Sequence, residues 1–418
     1  MEQIEEKKNS EIKKIGIIGD GRFAEAIAYL ISKVHKDVEI VMWTHKEEYA
    51  KKAESSGAFR HSKKKKKKLW FRQKMERPDN VRITNDAKDV VEGADVLFSI
   101  LPAQATREVF ETVFKDLIKE NWGKIQAVIS GTKGIERERE MTKEEKDEEE
   151  IMAKKENRKA RTKVETNQRI SEVLQDVFKE EKGGHGEILS EGLDILEKYG
   201  VLSGLNFAKD ILYDEPMVTN IASKNRDVQS VGMETLSKDD FDDFTVLPTD
   251  DVCGAEIVGA LKNVIALAAG AAKGLRCSDS TLHGLIGAGI EETKRFALAF
   301  GAQKKTFSGM RPTMRDLEGT ATSLQSRNRQ EGFTRARREK REKTGVAEGI
   351  KTVEAVIALA KAKNIKMPVC EAVYKIIKKE GKVADIMGEL NKNLNHRSHE
   401  LARILKQRVE NEKQNGVK

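Results

Sequence analysis

The sequence predicts an α/β chain in two parts. A Rossmann-like N-terminal domain with a doubly wound, mostly parallel sheet is followed by an all-α C-terminal domain. Three observations carry this. Short apolar runs alternate with helical patterns through the first half. A glycine-rich turn follows the first of those runs directly. From about Asp251 long Ala/Leu/Ile segments of helical period take over.

The elements can be justified in order. Residues 15–19 (IGIIG) form a short apolar run bounded by glycine, the mark of a buried parallel strand. Residues 22–33 follow as a helix with Phe23, Ile27, Leu30 and Ile31 on one side. Residues 38–43, 96–101 and 125–130 read as further strands, and 105–119 as a helix. Residues 219–223 and 244–247 add strand candidates. The domain expectation is 11–249 for dinucleotide binding and 250–418 for a helical catalytic part.

Composition sets limits. Lys and Arg number 77 against 69 Asp and Glu, a formal net charge of +8 over 418 residues. The charge is concentrated. Residues 63–68 are six lysines, and about 137–182 is a mixed-sign segment expected as an exposed helical insertion. A third basic stretch runs over 335–343. The lysine run could touch nucleic acid, but only Trp70 and Phe71 lie near it, so no nucleic-acid partner is expected. Three cysteines exclude a disulfide framework. With no leader-like N-terminus and no continuous apolar span, a cytoplasmic chain without a membrane span is expected. No metal site is expected.

Gly19-Asp20-Gly21-Arg22-Phe23-Ala24 fits the dinucleotide fingerprint between a strand and a helix. The first glycine allows the turn, the second the approach of a pyrophosphate, and Ala24 close helix–sheet packing. The second strand runs into Thr44-His45-Lys46-Glu47: His45 and Lys46 come first and would suit a 2′-phosphate, and Glu47 is two residues late, so NAD and NADP both stay open. In the helical part, Lys262 and Asn263 interrupt an otherwise apolar helix over 256–270, and a buried ammonium demands a use. That use would be donation to a carbonyl oxygen. Asp316 is followed by Thr320 and then by Ser326-Arg327-Asn328, where an Arg with Ser and Asn neighbours suits a phosphate monoester; Lys133 sits in a turn after a strand, where α/β ligands bind.

Read together, GDGRFAEAIA, VMWTH, GADVLFSILPAQATREV, ISGTKGIE, VLSGLNFAKDI, GALKNV, SRNR and VAEGIKT stand in an order that resembles the NAD(P)-dependent glycerol-3-phosphate dehydrogenases over most of the chain. The resemblance implies an oxidoreductase interconverting dihydroxyacetone phosphate and sn-glycerol 3-phosphate with NAD(P)H, acting as a homodimer on a small-molecule substrate. It makes Lys262 and Asp316 catalytic. Lys133, Gly204, Asn206, Asn263, Thr320, Ser326, Arg327 and Asn328 fall on the substrate side. Beyond the glycine turn, His45, Pro102, Lys133, Ala208, Arg327, Val346 and Glu348 fall on the dinucleotide side. Departures are Leu205 in place of the family's proline, the segment 308–315 before Asp316, and the long charged insertion. Rival readings are a hydroxyacid dehydrogenase, which would need a catalytic histidine that is not suitably placed, and a binding protein that has lost catalysis.

Overall fold

The computed structural model describes residues 11–59, 76–156, 159–182, 188–237, 243–308, 311–337 and 347–394. The lysine run, Val346, and much of the 335–343 stretch lie outside these. By internal packing the chain divides into two units, one from 1–259 with 300–316, the other from 260–299 with 317–418.

The first unit is built on β1 (Lys14–Ile18), α1 (Arg22–Val34), β2 (Glu39–Trp43), α2 (Glu47–Ser56), β3 (Val81–Thr84), α3 (Ala87–Val91), β4 (Val96–Ser99), α4 (Ala103–Val109), α5 (Lys115–Asn121) and β5 (Ala127–Ser130). Next come β6 (Ile135–Glu140), α6 (Lys143–Lys155), β7 (Lys163–Arg169), α7 (Ile170–Val177), β8 (Glu181–Lys182) and β9 (Ile188–Ser190). The sheet then resumes with β10 (Tyr199–Gly204), α8 (Ala208–Ile211), β11 (Met217–Ala222), α9 (Arg226–Leu236) and β12 (Phe244–Thr249).

Eight strands form one sheet in the order β12-β11-β10-β5-β4-β1-β2-β3, parallel throughout except for the β10–β11 pair. Strand alternation divides the core in two. Ile15, Ile17, Ile40, Met42, Phe98 and Ile129 join the cluster that includes Ile27 and Ile31 of α1. Ile18, Val41, Trp43, Leu97 and Val128 face Phe110, Phe114 and Ile118. Between β1 and β4 the strand order reverses, the place where such sheets bind ligands beyond their carboxyl ends.

Two strands, β3 and β10, were not anticipated. VRIT is only four residues long, and YGVLSG carries two glycines, so neither shows a full strand pattern. The helix expected over 105–119 is interrupted by a π-helical turn, Phe110–Phe114, between α4 and α5.

The charged insertion is corrected. Only α6 matches the exposed-helix expectation; it starts with a Thr142–Glu145 capping box and leaves Ile151 and Met152 exposed. β6 and β7 form an antiparallel hairpin. In α7, Ile170, Val173, Leu174 and Val177 are buried with Phe178 in the second core cluster. Buried Arg107 of α4 grips this segment, pairing with Glu136 at 3.0 Å and with Gln168 at 2.7 Å. High charge in the sequence concealed an apolar face spaced at i, i+3, i+4 and i+7.

The second unit is helical: most of α10 (Val252–Gly274), then α11 (Asp279–Ala299), the end of α12 (Pro312–Thr322), α13 (Arg327–Arg337), α14 (Gly349–Ala362) and α15 (Pro368–Lys378). By length and composition α10 could cross a membrane, but 89% of that stretch is buried inside the protein. Close packing explains its glycines. A Cβ on Gly270 would lie 1.9 Å from the Arg329 carbonyl oxygen, and one on Gly332 would lie 2.0 Å from that of Leu267.

Candidate active site

In the first unit, every expected ligand residue before 250 lies at or beyond the carboxyl end of a sheet strand. Gly19 leaves β1 with φ +134°, and a Cβ there would meet the Ile100 carbonyl oxygen at 2.4 Å. Gly21 is the N-cap of α1. No side chain caps that first turn, and the space where a Cβ would stand is open for 4 Å. The turn can therefore hold a pyrophosphate: peptide N–H groups, the positive end of the helix dipole, and room for close approach. Arg22 is exposed, Phe23 half-buried and Ala24 fully buried.

After β2, Thr44 is buried and its hydroxyl donates to Asp20 Oδ2 at 2.9 Å; His45 is exposed. After β4, exposed Pro102 is the N-cap of α4. After β5, Lys133 places its ammonium 3.1 Å from Asp316 Oδ2 and 6.0 Å from the centre of the Phe23 ring. Asp316 is 1% exposed. Its pairing with Lys133 was not anticipated, since the sequence reading linked Asp316 to Lys262.

Gly204 ends β10, where a Cβ would stand 2.7 Å from Thr219 Oγ1. Asn206 donates its amide to that same oxygen at 2.7 Å, and Ala208 opens α8. Three buried oxygens at the ends of β4 and β10 have no hydrogen-bond partner among the described residues: Ser99 Oγ, Ser203 Oγ and Asn206 Oδ1. Buried polar atoms are ordinarily satisfied, so this edge is built for polar occupants.

In the second unit, Lys262 is 8% exposed and Asn263 5% exposed on α10. Asn263 Oδ1 accepts from Asn328 Nδ2 at 2.9 Å, and its own amide reaches Glu348 Oε2 at 3.5 Å. Asn328 Oδ1 in turn accepts the Gly349 N–H at the start of α14, at 3.0 Å. Asn263 and Asn328 are thus held by the fold, and Asn328 keeps one amide hydrogen to offer. Ser326 is buried and accepts from the Arg329 N–H at 3.3 Å; Thr320 is buried; Arg327 is exposed. The sequence marked these residues individually, but nothing in it marked the chain that ties Asn263, Asn328 and Gly349 together. Among the described residues no group of three His, Cys, Asp or Glu is placed to hold a metal.

A doubly wound sheet with a pyrophosphate turn, joined to a helical part that buries a lysine, defines an NAD(P)-dependent oxidoreductase. Family models agree: the NAD-dependent glycerol-3-phosphate dehydrogenase N-terminus matches residues 14–229 and the C-terminus 251–388. The chain belongs to the NAD-dependent glycerol-3-phosphate dehydrogenase family. A glycerol-3-phosphate dehydrogenase [NAD(P)+] of Syntrophomonas wolfei is 28% identical over 404 residues, 94% of this chain and 98% of its own length. One from Solidesulfovibrio magneticus is 29% identical over 372 residues, 88% and 94% of the two chains. Among solved structures, the glycerol-3-phosphate dehydrogenase of Coxiella burnetii shares the fold at a TM-score of 0.69 and 22% identity, covering 91% of this chain and 98% of its own.

Proposed function

We propose that this oxidoreductase interconverts dihydroxyacetone phosphate and sn-glycerol 3-phosphate, with Lys262 as the proton donor to the ketone oxygen. The observation that carries the reading is Lys262 itself, an ammonium 8% exposed on an apolar helix. Such a group is expensive to bury without a polar role. Bound NAD(P)H supplies the hydride that reduces the ketone carbon. Lys262 gives the proton that completes the alcohol, and in the reverse direction takes it back. Asp316, with Lys133 against it, fixes the charge balance at the reacting end. Ser326, Arg327, Asn328 and Thr320 receive the phosphate, with Asn263 holding Asn328 in place; Asn206 and Gly204 receive the substrate's polar end. The glycine turn, His45, Pro102, Lys133, Ala208, Arg327 and Glu348 receive the dinucleotide; Val346, which the resemblance also assigns to it, lies outside the described residues.

Three further points belong to this proposal. The chain divides functionally near residue 250, acts as a homodimer, and works in the cytoplasm without metal or nucleic acid. Its three cysteines are free thiols, as a reducing compartment allows. The test is spectrophotometric: dihydroxyacetone phosphate with NADH and with NADPH, and dihydroxyacetone as the phosphate-free control. Oxidation of a coenzyme only with the phosphorylated ketone supports the reading; no oxidation of either coenzyme ends it.

A further inference from the structure

The fold calls for an acid at the end of β2, and this chain supplies one from a different place. We infer that Asp20, pinned to Thr44, is the coenzyme-specificity residue and selects a dinucleotide with a free ribose 2′-hydroxyl over one with a 2′-phosphate. The inference rests on the dinucleotide reading above and deepens it.

In dinucleotide folds the residue that ends the second strand accepts a hydrogen bond from the adenosine ribose. Here that strand ends in Trp43 and is followed by Thr44, His45 and Lys46. The first acid, Glu47, already begins α2 and is paired with Lys51 at 2.6 Å. Asp20 lies between the two glycines of the first turn, and its carboxylate reaches across to the end of β2. The contact is directional. Thr44 is 1% exposed, its backbone N–H is held by the Thr84 carbonyl at 2.9 Å, and its Oγ1 accepts the Lys46 N–H at 3.2 Å. The hydroxyl's single hydrogen is therefore directed to Asp20 Oδ2, as the 2.9 Å separation records.

A carboxylate offers about four acceptor positions, so Asp20 can take a ribose hydroxyl beside that of Thr44. A 2′-phosphate brings nearly two negative charges to the same place and meets a fixed anion. Arg22 and Lys46 are the cations close by in sequence, and both are exposed. Their attraction is weakened by water and salt, whereas the carboxylate is held by a buried partner.

The experiment is direct titration of the full-length protein with NADH and NADPH, read by coenzyme fluorescence and independent of turnover. Wild type should bind NADH about 10-fold or more tightly than NADPH, the size of one charge-assisted hydrogen bond. Asp20→Asn keeps an acceptor but removes the charge, so it should narrow the ratio chiefly by tightening NADPH. Thr44→Val keeps the charge but releases the carboxylate, so it should weaken NADH. Circular dichroism checks that both variants fold, and the wild-type ratio needs no variant. Equal or tighter NADPH binding by wild type, or an unchanged ratio in Asp20→Asn, overturns the inference while leaving the dinucleotide reading intact. Failure of wild type to bind either coenzyme overturns both.

Discussion

At the scale of single residues, Lys262 and Glu292 show two ways of keeping an ionisable group inside a protein. Lys262 lies on a helix made chiefly of Ala, Gly, Val, Leu and Ile, and its proposed use is proton donation. Lys262→Ala should lower kcat by about 100- to 10,000-fold and leave NADH binding near wild type. Turnover within a few-fold of wild type would remove it from the mechanism. Glu292 of α11 instead accepts the Val369 and Cys370 N–H groups, at 2.6 and 3.2 Å, at the start of α15. Burial pushes its carboxyl up to about 7 from an ordinary 4.5, although those N–H groups and Arg295 pull the other way. The folded pKa is the higher one, so the stability that Glu292 contributes is complete below about 4.5 and is lost as pH rises through about 7. The difference is roughly 3 kcal/mol. Thermal melts from pH 4.5 to 8 should show Glu292→Gln losing less stability than wild type across that window. Parallel curves for the two proteins would show that Glu292 does not titrate there.

At the scale of elements, α7 is the segment whose sequence misleads most. Mixed charge on both sides made 137–182 read as solvated, yet Leu174 is fully buried among Phe110, Phe114 and Phe178 in one cluster. Leu174→Ala should cost about 2–5 kcal/mol through lost apolar burial and the cavity left behind. Urea unfolding checks this, and a change below about 1 kcal/mol would show that the site collapses around the smaller side chain. The helix α6 is different: it is charged, capped by its own Thr142 and largely exposed. Replacing 143–160 by a short polar turn should therefore leave kcat within a few-fold, whereas removing 163–178 should unfold the first unit. A large loss of kcat from the shorter deletion, with melting unchanged, would assign α6 a role in catalysis.

At the scale of the whole molecule, net charge is the lever. A chain of +8 attracts phosphorylated and dinucleotide ligands before any specific contact forms. Changing the six lysines at 63–68 to glutamine lowers the net charge from +8 to +2, still positive but fourfold smaller. It should leave kcat unchanged and lower kcat/KM only at low salt. Any loss should vanish at about 0.5 M salt, where screening acts within a few ångström. A fall in kcat that persists in high salt would give the run a direct part in turnover.

The sequence by itself determined the α/β order, the pyrophosphate turn and the identity of the polar residues on α10 and around 326–328, because each is written in local spacing and composition. Gly19 and Gly21 announce their turn, and Lys262 stands out because, with Asn263, it interrupts an otherwise apolar stretch. Other features were decided only in three dimensions. β3 and β10 exist because neighbouring strands supply the hydrogen bonds that their short or glycine-bearing sequences do not advertise. Lys133 meets Asp316 across 183 positions, and Asn328 caps α14 from 21 residues away. Asp20 acquires a meaning only when Thr44, 24 residues on, closes against it. Local propensity is set by neighbours within a few residues; a hydrogen bond between distant segments is set by the register and packing that bring them together, and no short window of sequence contains it.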